Sequence, residues 1–219
     1  MVTGIIGAGA SGMAAALAAA ENESGQVVLM ERQARVGRKL QATGNGRCNL
    51  SNLHGTSGGY HGENPGFADY ALGKFPPTAA LEWFRSLGLL TVAEDSGRVY
   101  PYSDQANSVV DVLRFALEKP NITVKLGFEA KKVKKTASGF RIVSGDETVE
   151  CDQLIVACGG LAVVRFITIS RSSSAPFSGR VDSIRLIAFH EPESSMINVN
   201  SSPSMASRLS SILQPQLLT

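Results

Sequence analysis

The hexapeptide Gly7-Ala8-Gly9-Ala10-Ser11-Gly12 carries the clearest chemical signal in this 219-residue chain. It reads GxGxxG, directly after an apolar stretch and directly before an Ala-rich one. In a strand–turn–helix setting each Gly has its own duty. The first permits the tight turn, the second lets a pyrophosphate approach the backbone, and the third lets helix and strand pack closely. The helix N-terminus behind it offers N–H groups and positive dipole to the phosphates. Glu31 stands 19 residues beyond Gly12, closing the next apolar run, where an acid accepts hydrogen bonds from ribose hydroxyls. A lone GxGxxG is weak; with strand, helix and acid in register it predicts dinucleotide binding. The bland alternative is a Gly-rich turn that serves only packing.

A second stretch begins with Gly37-Arg38-Lys39 and leads to Thr43-Gly44-Asn45-Gly46-Arg47-Cys48-Asn49-Leu50-Ser51-Asn52. Small residues let the backbone lie against a planar ring or a phosphate, and Lys39, Arg47 and the Asn side chains supply donors. A polar surface loop with turn-forming Asn-Gly would look the same. Other reactive residue types carry less. His54 and His61 sit in a Gly-rich loop and belong to a residue type that donates protons in catalysis, but such loop histidines are ordinarily solvent-exposed; His190 is assigned nothing. Cys48 lacks the nearby second Cys of a redox dithiol and reads as a small packing residue. Trp83, Phe84 and Leu87 have helical spacing and read as core. Lys131, Lys132, Lys134 and Lys135 read as a solvated face. Tyr100 and Tyr102 bracket Pro101, where packing and contact with a ring are equally open.

The elements that must position these residues alternate in type. Residues 2–6 read as a short apolar strand, 11–20 as a helix of Ala, the best helix former, and 26–30 as a second strand. Residues 37–66 hold eight Gly and read as loop. A helix is expected over 78–87, capped by Thr78 and ended by Gly88, and another over 108–119, stopped by Pro120. A strand at 122–126 precedes three more at 131–135, 140–143 and 148–151. Ser138-Gly139 and Gly145-Asp146 separate them, the punctuation of an antiparallel meander. Residues 154–157 form a last buried strand, ending in Cys158-Gly159-Gly160.

Composition changes sharply near residue 160. Of 22 Gly only Gly179 lies beyond it, the last Lys is Lys135, and the remaining 59 residues hold 14 Ser. The first 160 residues balance 16 basic against 16 acidic groups, so the net +2 comes from the tail. There a strand at 163–169 and a helical turn or two at 208–213 are the only elements expected. Overall the composition is that of a globular protein. Nothing resembles the basic footprint of a nucleic-acid binder, and no run reaches the roughly 18 apolar residues of a membrane helix. With no cationic leader, the reading is cytosolic. Three cysteines without CxxC spacing argue against disulfides and zinc.

Residues 1–160 resemble the bacterial YhiN-like family of NAD(P)/FAD-dependent oxidoreductases, which includes a dehydro-bile-acid reductase. The family pattern is similar to GxGxSG, an acid ending the second strand, GRK, then (S/T)GxGRCNxxN. Gly97-Arg98-Val99-Tyr100-Pro101 and Val156-Ala157-Cys158-Gly159-Gly160 match two later segments. The resemblance implies an α/β fold: a glutathione-reductase-like FAD-binding Rossmann domain with an antiparallel meander, spanning 1–160, with an insertion at about 53–108. FAD would place its pyrophosphate at residues 7–12 and its adenosine ribose on Glu31, with the 37–52 loop toward the flavin. The implied contacts are Gly7, Gly9, Ala10, Ser11, Gly12, Glu31, Arg32, Gly37, Arg38, Lys39, Thr43, Gly44, Gly46, Arg47, Asn49, Ala157, Gly159 and Gly160. NAD(P)H would be the reductant and an organic acceptor, an activated double bond, the substrate; no acid or base is assigned. The family's substrate domain is not recognisable after Gly160. Residues 161–219 therefore read as a divergent, disordered or frame-shifted ending, and a catalytically silent nucleotide-binding module is the rival reading. An NAD-binding dehydrogenase is the third.

Overall fold

A computed structural model describes residues 1–55, 60, 65–159, 168–171 and 184–186. The readings for Gly160, His61, His190, residues 163–167 and the 208–213 helix lie outside the described residues, as does most of the Ser-rich tail. The described residues fall into two compact units. One comprises Met1–Val36 with the described residues from Leu117 onward, and the other is Gly37–Ala116.

The first unit is a parallel sheet with a meander behind it. Its strands are β1 (Val2–Ile6), β2 (Gln26–Glu31), β6 (Ile122–Leu126), β10 (Gln153–Val156) and β12 (Ile184–Leu186), in the order β12-β10-β1-β2-β6. Every pairing in it is parallel. Sheets of this kind are covered on both faces, which is why the central strands read as continuous apolar runs. On one face lies helix α1 (Ala10–Ala19), packed against β1, β2 and β10. Six consecutive residues, Gly12 to Leu17, are buried in it, as expected of a helix that is apolar on every side. On the other face Ile6, Met30, Leu154 and Val156 meet Phe128, Val133, Phe140, Ile142, Val149 and Cys151 in one apolar cluster. Those partners come mostly from the antiparallel meander β7 (Lys132–Lys135), β8 (Phe140–Ser144) and β9 (Glu147–Cys151). The meander forms with the two hairpin turns expected. Strand β11 (Thr168–Arg171) adds to β7 in parallel, which places the end of the strand expected at 163–169. Asn121, itself buried, donates through Nδ2 to Ala20 O and Gly25 O at 3.1 and 3.2 Å, tying the end of α1 to the start of β2.

The second unit holds a small antiparallel sheet, β3 (Ser51–Asn52), β5 (Arg98–Pro101) and β4 (Thr91–Ala93), in that order. Helices α2 (Asp69–Lys74), α3 (Pro77–Ser86) and α4 (Ala106–Ala116) accompany it. Prolines set two of the boundaries that differ from expectation. Helix α3 begins at Pro77 with Pro76 as its N-cap, so Thr78 lies inside the first turn and does not cap it. Proline at the first helical position has the required φ and no N–H to leave unpaired. Helix α4 ends at Ala116, three residues short of the expected end. Pro120 explains this: its ring clashes with the carbonyl four residues earlier, at Ala116, and it excludes helical backbone at Lys119. Trp83 meets the buried Phe84 edge to face, with ring centroids 5.0 Å apart. Lys132 and Lys134 are solvent-exposed, flanking the fully buried Val133.

Candidate functional site

The Gly-rich turn sits where β1 hands over to α1, and its three glycines are not equivalent. Gly7 has φ +100°, and a Cβ there would stand 2.5 Å from the carbonyl oxygen of Ala157. A Cβ on Gly12 would stand 1.7 Å from Gly7 O. The protein's own packing therefore demands glycine at both positions. Gly9 is different. Its φ of −76° and ψ of −170° suit any residue, and among the described residues no atom beyond its chain neighbours lies within 4 Å of where its Cβ would be. Gly9 is also the N-cap of α1, with no side-chain cap and no acid in the first turn, where Ala10 and Ser11 lie. The first N–H groups of a helix lack intrahelical partners, so this end is open to an anion.

Glu31 closes β2 beside that turn. Its Oε2 accepts from the Ala8 N–H at 2.8 Å and its Oε1 from the Gln33 N–H at 2.9 Å. An ionised carboxylate has about four lone-pair sites, so acceptor capacity remains for a ribose. The acid thus also fixes the Gly-rich turn, a duty the sequence does not advertise. The end of β10 completes the group. Ala157 N–H donates to Ile6 O at 2.8 Å, and Gly159 takes φ +85°. Cys158 donates weakly to Ile6 O at 3.6 Å. Burial pushes the Cys158 thiol up to about 11, the Glu31 charge adds to this, and Arg32 opposes it. It is a neutral thiol at pH 7 and no nucleophile. Arg32 itself is exposed.

In the second unit the 37–49 stretch is compact. Gly37 is buried with φ +69°, while Arg38 and Lys39 are exposed. A 3-10 helix over Leu40–Gly46 is interrupted at Thr43, Gly44 and Asn45. A Cβ on Gly44, at φ +55°, would stand 2.9 Å from Asn49 N. Arg47 Nε donates to Asp104 at 2.5 Å and Nη2 to Glu94 at 2.9 Å, while the guanidinium lies 3.8 Å over the Tyr100 ring. These carboxylates raise the Arg47 pKa above its ordinary value. Cys48 is buried, as expected of a packing residue, and burial raises its thiol, against a hydrogen bond with Thr43. Tyr100 is buried, whereas Tyr102 is exposed. His54 is exposed beside Gly97, where a Cβ would stand 2.7 Å from Nδ1.

The structure therefore brings Gly7, Gly9, Ala10, Ser11, Gly12, Glu31, Ala157 and Gly159 together in one unit. Thr43, Gly44, Gly46, Arg47 and Asn49 come together in the other. Glu94 and Asp104, the partners of Arg47, are missed by sequence reasoning, being 47 and 57 residues away and just outside the Gly97–Pro101 segment that the resemblance singles out. Among the described residues no group of three His, Cys, Asp or Glu could hold a metal ion, and no helix is long and apolar enough to cross a membrane.

A family model described as the HI0933-like protein Rossmann domain matches residues 2–168. The chain belongs to the HI0933-like family. This agrees with the resemblance to YhiN-like flavoproteins, and the fold is the Rossmann-like α/β FAD-binding fold it implies. Relatives of this HI0933-like chain include the 3-dehydro-bile acid delta(4,6)-reductase of Clostridium scindens, 43% identical over 160 residues, or 73% of this chain and 39% of the relative. The ribosomal RNA dihydrouridine synthase of Escherichia coli K12 is 35% identical over 159 residues, again 73% and 39%. The chain thus spans about two fifths of the length of these curated relatives. Among solved structures, Thermovibrio ammonificans THI4 superposes with a TM-score of 0.51 at 16% identity, covering 75% of this chain and 60% of that one. Glycine oxidase from Geobacillus kaustophilus gives 0.50 at 13% identity, covering 75% and 56%. These two likenesses are of fold alone. With an RNA-modifying enzyme among the relatives, the exclusion of nucleic acid read from net charge is not retained.

Proposed function

We propose that this chain is the FAD-binding portion of an oxidoreductase that uses NAD(P)H to reduce an activated double bond in an organic acceptor. One observation carries the cofactor assignment: Gly9 is glycine although nothing among the described residues requires it, which is what a phosphate resting on the backbone would require. In this reading Gly7, Gly9 and Gly12 shape the turn, and the N–H groups of Ala10, Ser11 and Gly12 face the pyrophosphate. Glu31 accepts from the adenosine ribose, and Arg32, Ala157, Gly159 and Gly160 border it. Gly37, Arg38, Lys39, Thr43, Gly44, Gly46 and Asn49 enter through the family resemblance as contacts toward the flavin, whereas Arg47, implied with them, is engaged by Glu94, Asp104 and the Tyr100 ring. Bound FAD supplies the hydride chemistry; the protein binds it, orients it and shields it from water. Both relatives' names describe products or reactions in which a double bond is reduced, which supports the acceptor class. A small molecule is the acceptor we favour, in the cytoplasm.

The test is the absorbance spectrum of the purified chain with added FAD, before and after NAD(P)H. Stoichiometric yellow complex bleached by NAD(P)H is the expected result. A colourless chain that binds NAD but not FAD would overturn the assignment in favour of a dehydrogenase. FAD bound tightly but never bleached would overturn the reductase reading in favour of a catalytically silent nucleotide-binding module.

A further inference from the structure

Arg47 is held by three separate segments of the second unit: Glu94 just after β4, Tyr100 in β5, and Asp104 in the turn beyond it. The backbone around it is unusual. Asn45, Cys48 and Asp104, at φ +55°, +59° and +56°, are the non-glycine residues with left-handed backbone among those described. Two flank Arg47 and the third is its partner. Asn and Asp tolerate this region, but Cys does not, and Cys48 persists in it only where surrounding structure dictates the conformation. A lone exposed ion pair seldom supplies that restraint. A planar guanidinium that spans two carboxylates while stacked on a ring is better suited, because its donors are fixed relative to one another. Electrostatics point the same way. One guanidinium facing two carboxylates leaves the group with net charge −1, which repels an incoming phosphate.

We propose that Arg47 is a positioning residue: a staple that holds the left-handed turn at 43–48 in shape and does not itself touch the cofactor. The second half of this statement rests on the FAD reading above; the first does not.

The experiment compares the full chain with Glu94→Gln/Asp104→Asn, which keeps Arg47 but strips the charge from both its anchors, and with Arg47→Lys, which keeps charge but cannot span both carboxylates. Amide hydrogen exchange is read at the Arg47 and Cys48 N–H groups, which donate to Gly44 O and Thr43 O at 3.0 Å each. FAD affinity is read in parallel. Both variants should exchange about tenfold faster at these amides and bind FAD about tenfold more weakly, the scale of coupling through a shared backbone shift. In an Asn45→Gly/Cys48→Gly background, where left-handed backbone needs no restraint, Arg47→Lys should lose most of its effect. The double-mutant cycle cancels the cost of removing the Cys48 side chain. Unchanged exchange in the double carboxamide variant would overturn the staple. Weakened FAD binding in Arg47→Lys with unchanged exchange would make Arg47 a direct contact instead. If the parent chain binds no FAD, the dinucleotide reading fails while the exchange measurements still decide whether Arg47 is a staple.

Discussion

Replacing Gly9 with Ala separates folding from binding more cleanly than any other change in this chain. Among the described residues, the new methyl meets no atom within 4 Å beyond its chain neighbours, on a backbone with φ −76° and ψ −170°. Two small effects on stability oppose each other. Ala lowers the entropy of the unfolded chain, worth about 0.4–1 kcal/mol, but it caps a helix less well than Gly, by a similar amount. The net change should lie within about 0.5 kcal/mol. Binding has no such compensation. A methyl between backbone and pyrophosphate displaces a group whose charge-assisted hydrogen bonds are worth about 1.5–3 kcal/mol each. Loss of a single one weakens FAD by about tenfold to a hundredfold. Urea denaturation followed by titration with FAD reads both numbers on the same sample. Gly12→Ala is the contrasting control, because its methyl would fall 1.7 Å from Gly7 O and must disrupt the turn itself. An undiminished FAD affinity in Gly9→Ala would refute the placement of the pyrophosphate, and so would a large loss of stability.

Three further changes test other parts of the structure. Glu31→Ala should weaken FAD by about 1.5–3 kcal/mol, the scale of a charge-assisted hydrogen bond; because Glu31 also holds Ala8, faster exchange of the Ala8 amide should accompany it. Asn121→Ala leaves two backbone carbonyls without their donor and should lower unfolding free energy by about 1–3 kcal/mol in urea titration. The Cys151 and Cys158 thiols are both pushed up to about 11, chiefly by burial. Unfolded thiols ionise from about pH 8.5, so between there and 11 the folded chain holds more protons than the unfolded one, and its stability falls as pH rises. That decline should be shallower in Cys158→Ala, and an identical slope would show that this thiol does not contribute.

The strand–turn–helix at residues 2–19, the acid at 31 and the meander were legible because their signals are local. Each is a run of one periodicity ended by Gly, Asn or a charged residue. The antiparallel sheet of the second unit was not legible. Its strands are two to four residues long, too short for alternation to register, and they pair across a loop and two helices. The tethering of Arg47 was hidden for a related reason, since an ion pair between residues 47 and 104 leaves no pattern in a single sequence. The ends of α3 and α4 turned on prolines, whose stereochemistry outweighed a favourable Thr and a continuing apolar face. The different status of Gly9 from Gly7 and Gly12 is invisible in the letters GxGxxG and emerges only from the surroundings of each Cα.

The placement of β1 between β2 and β10 has a consequence for how the chain acquires its shape. Thr3 pairs with Gln153, and Ile6 with Val156, so β1 leaves the ribosome long before β10, its neighbour on that side, has emerged. Contacts this distant in sequence slow the search for the native topology, and the intermediate exposes an unpaired strand edge while it waits. The mouth of the Gly-rich turn, bounded on one side by Ala157, is accordingly among the last features to be built.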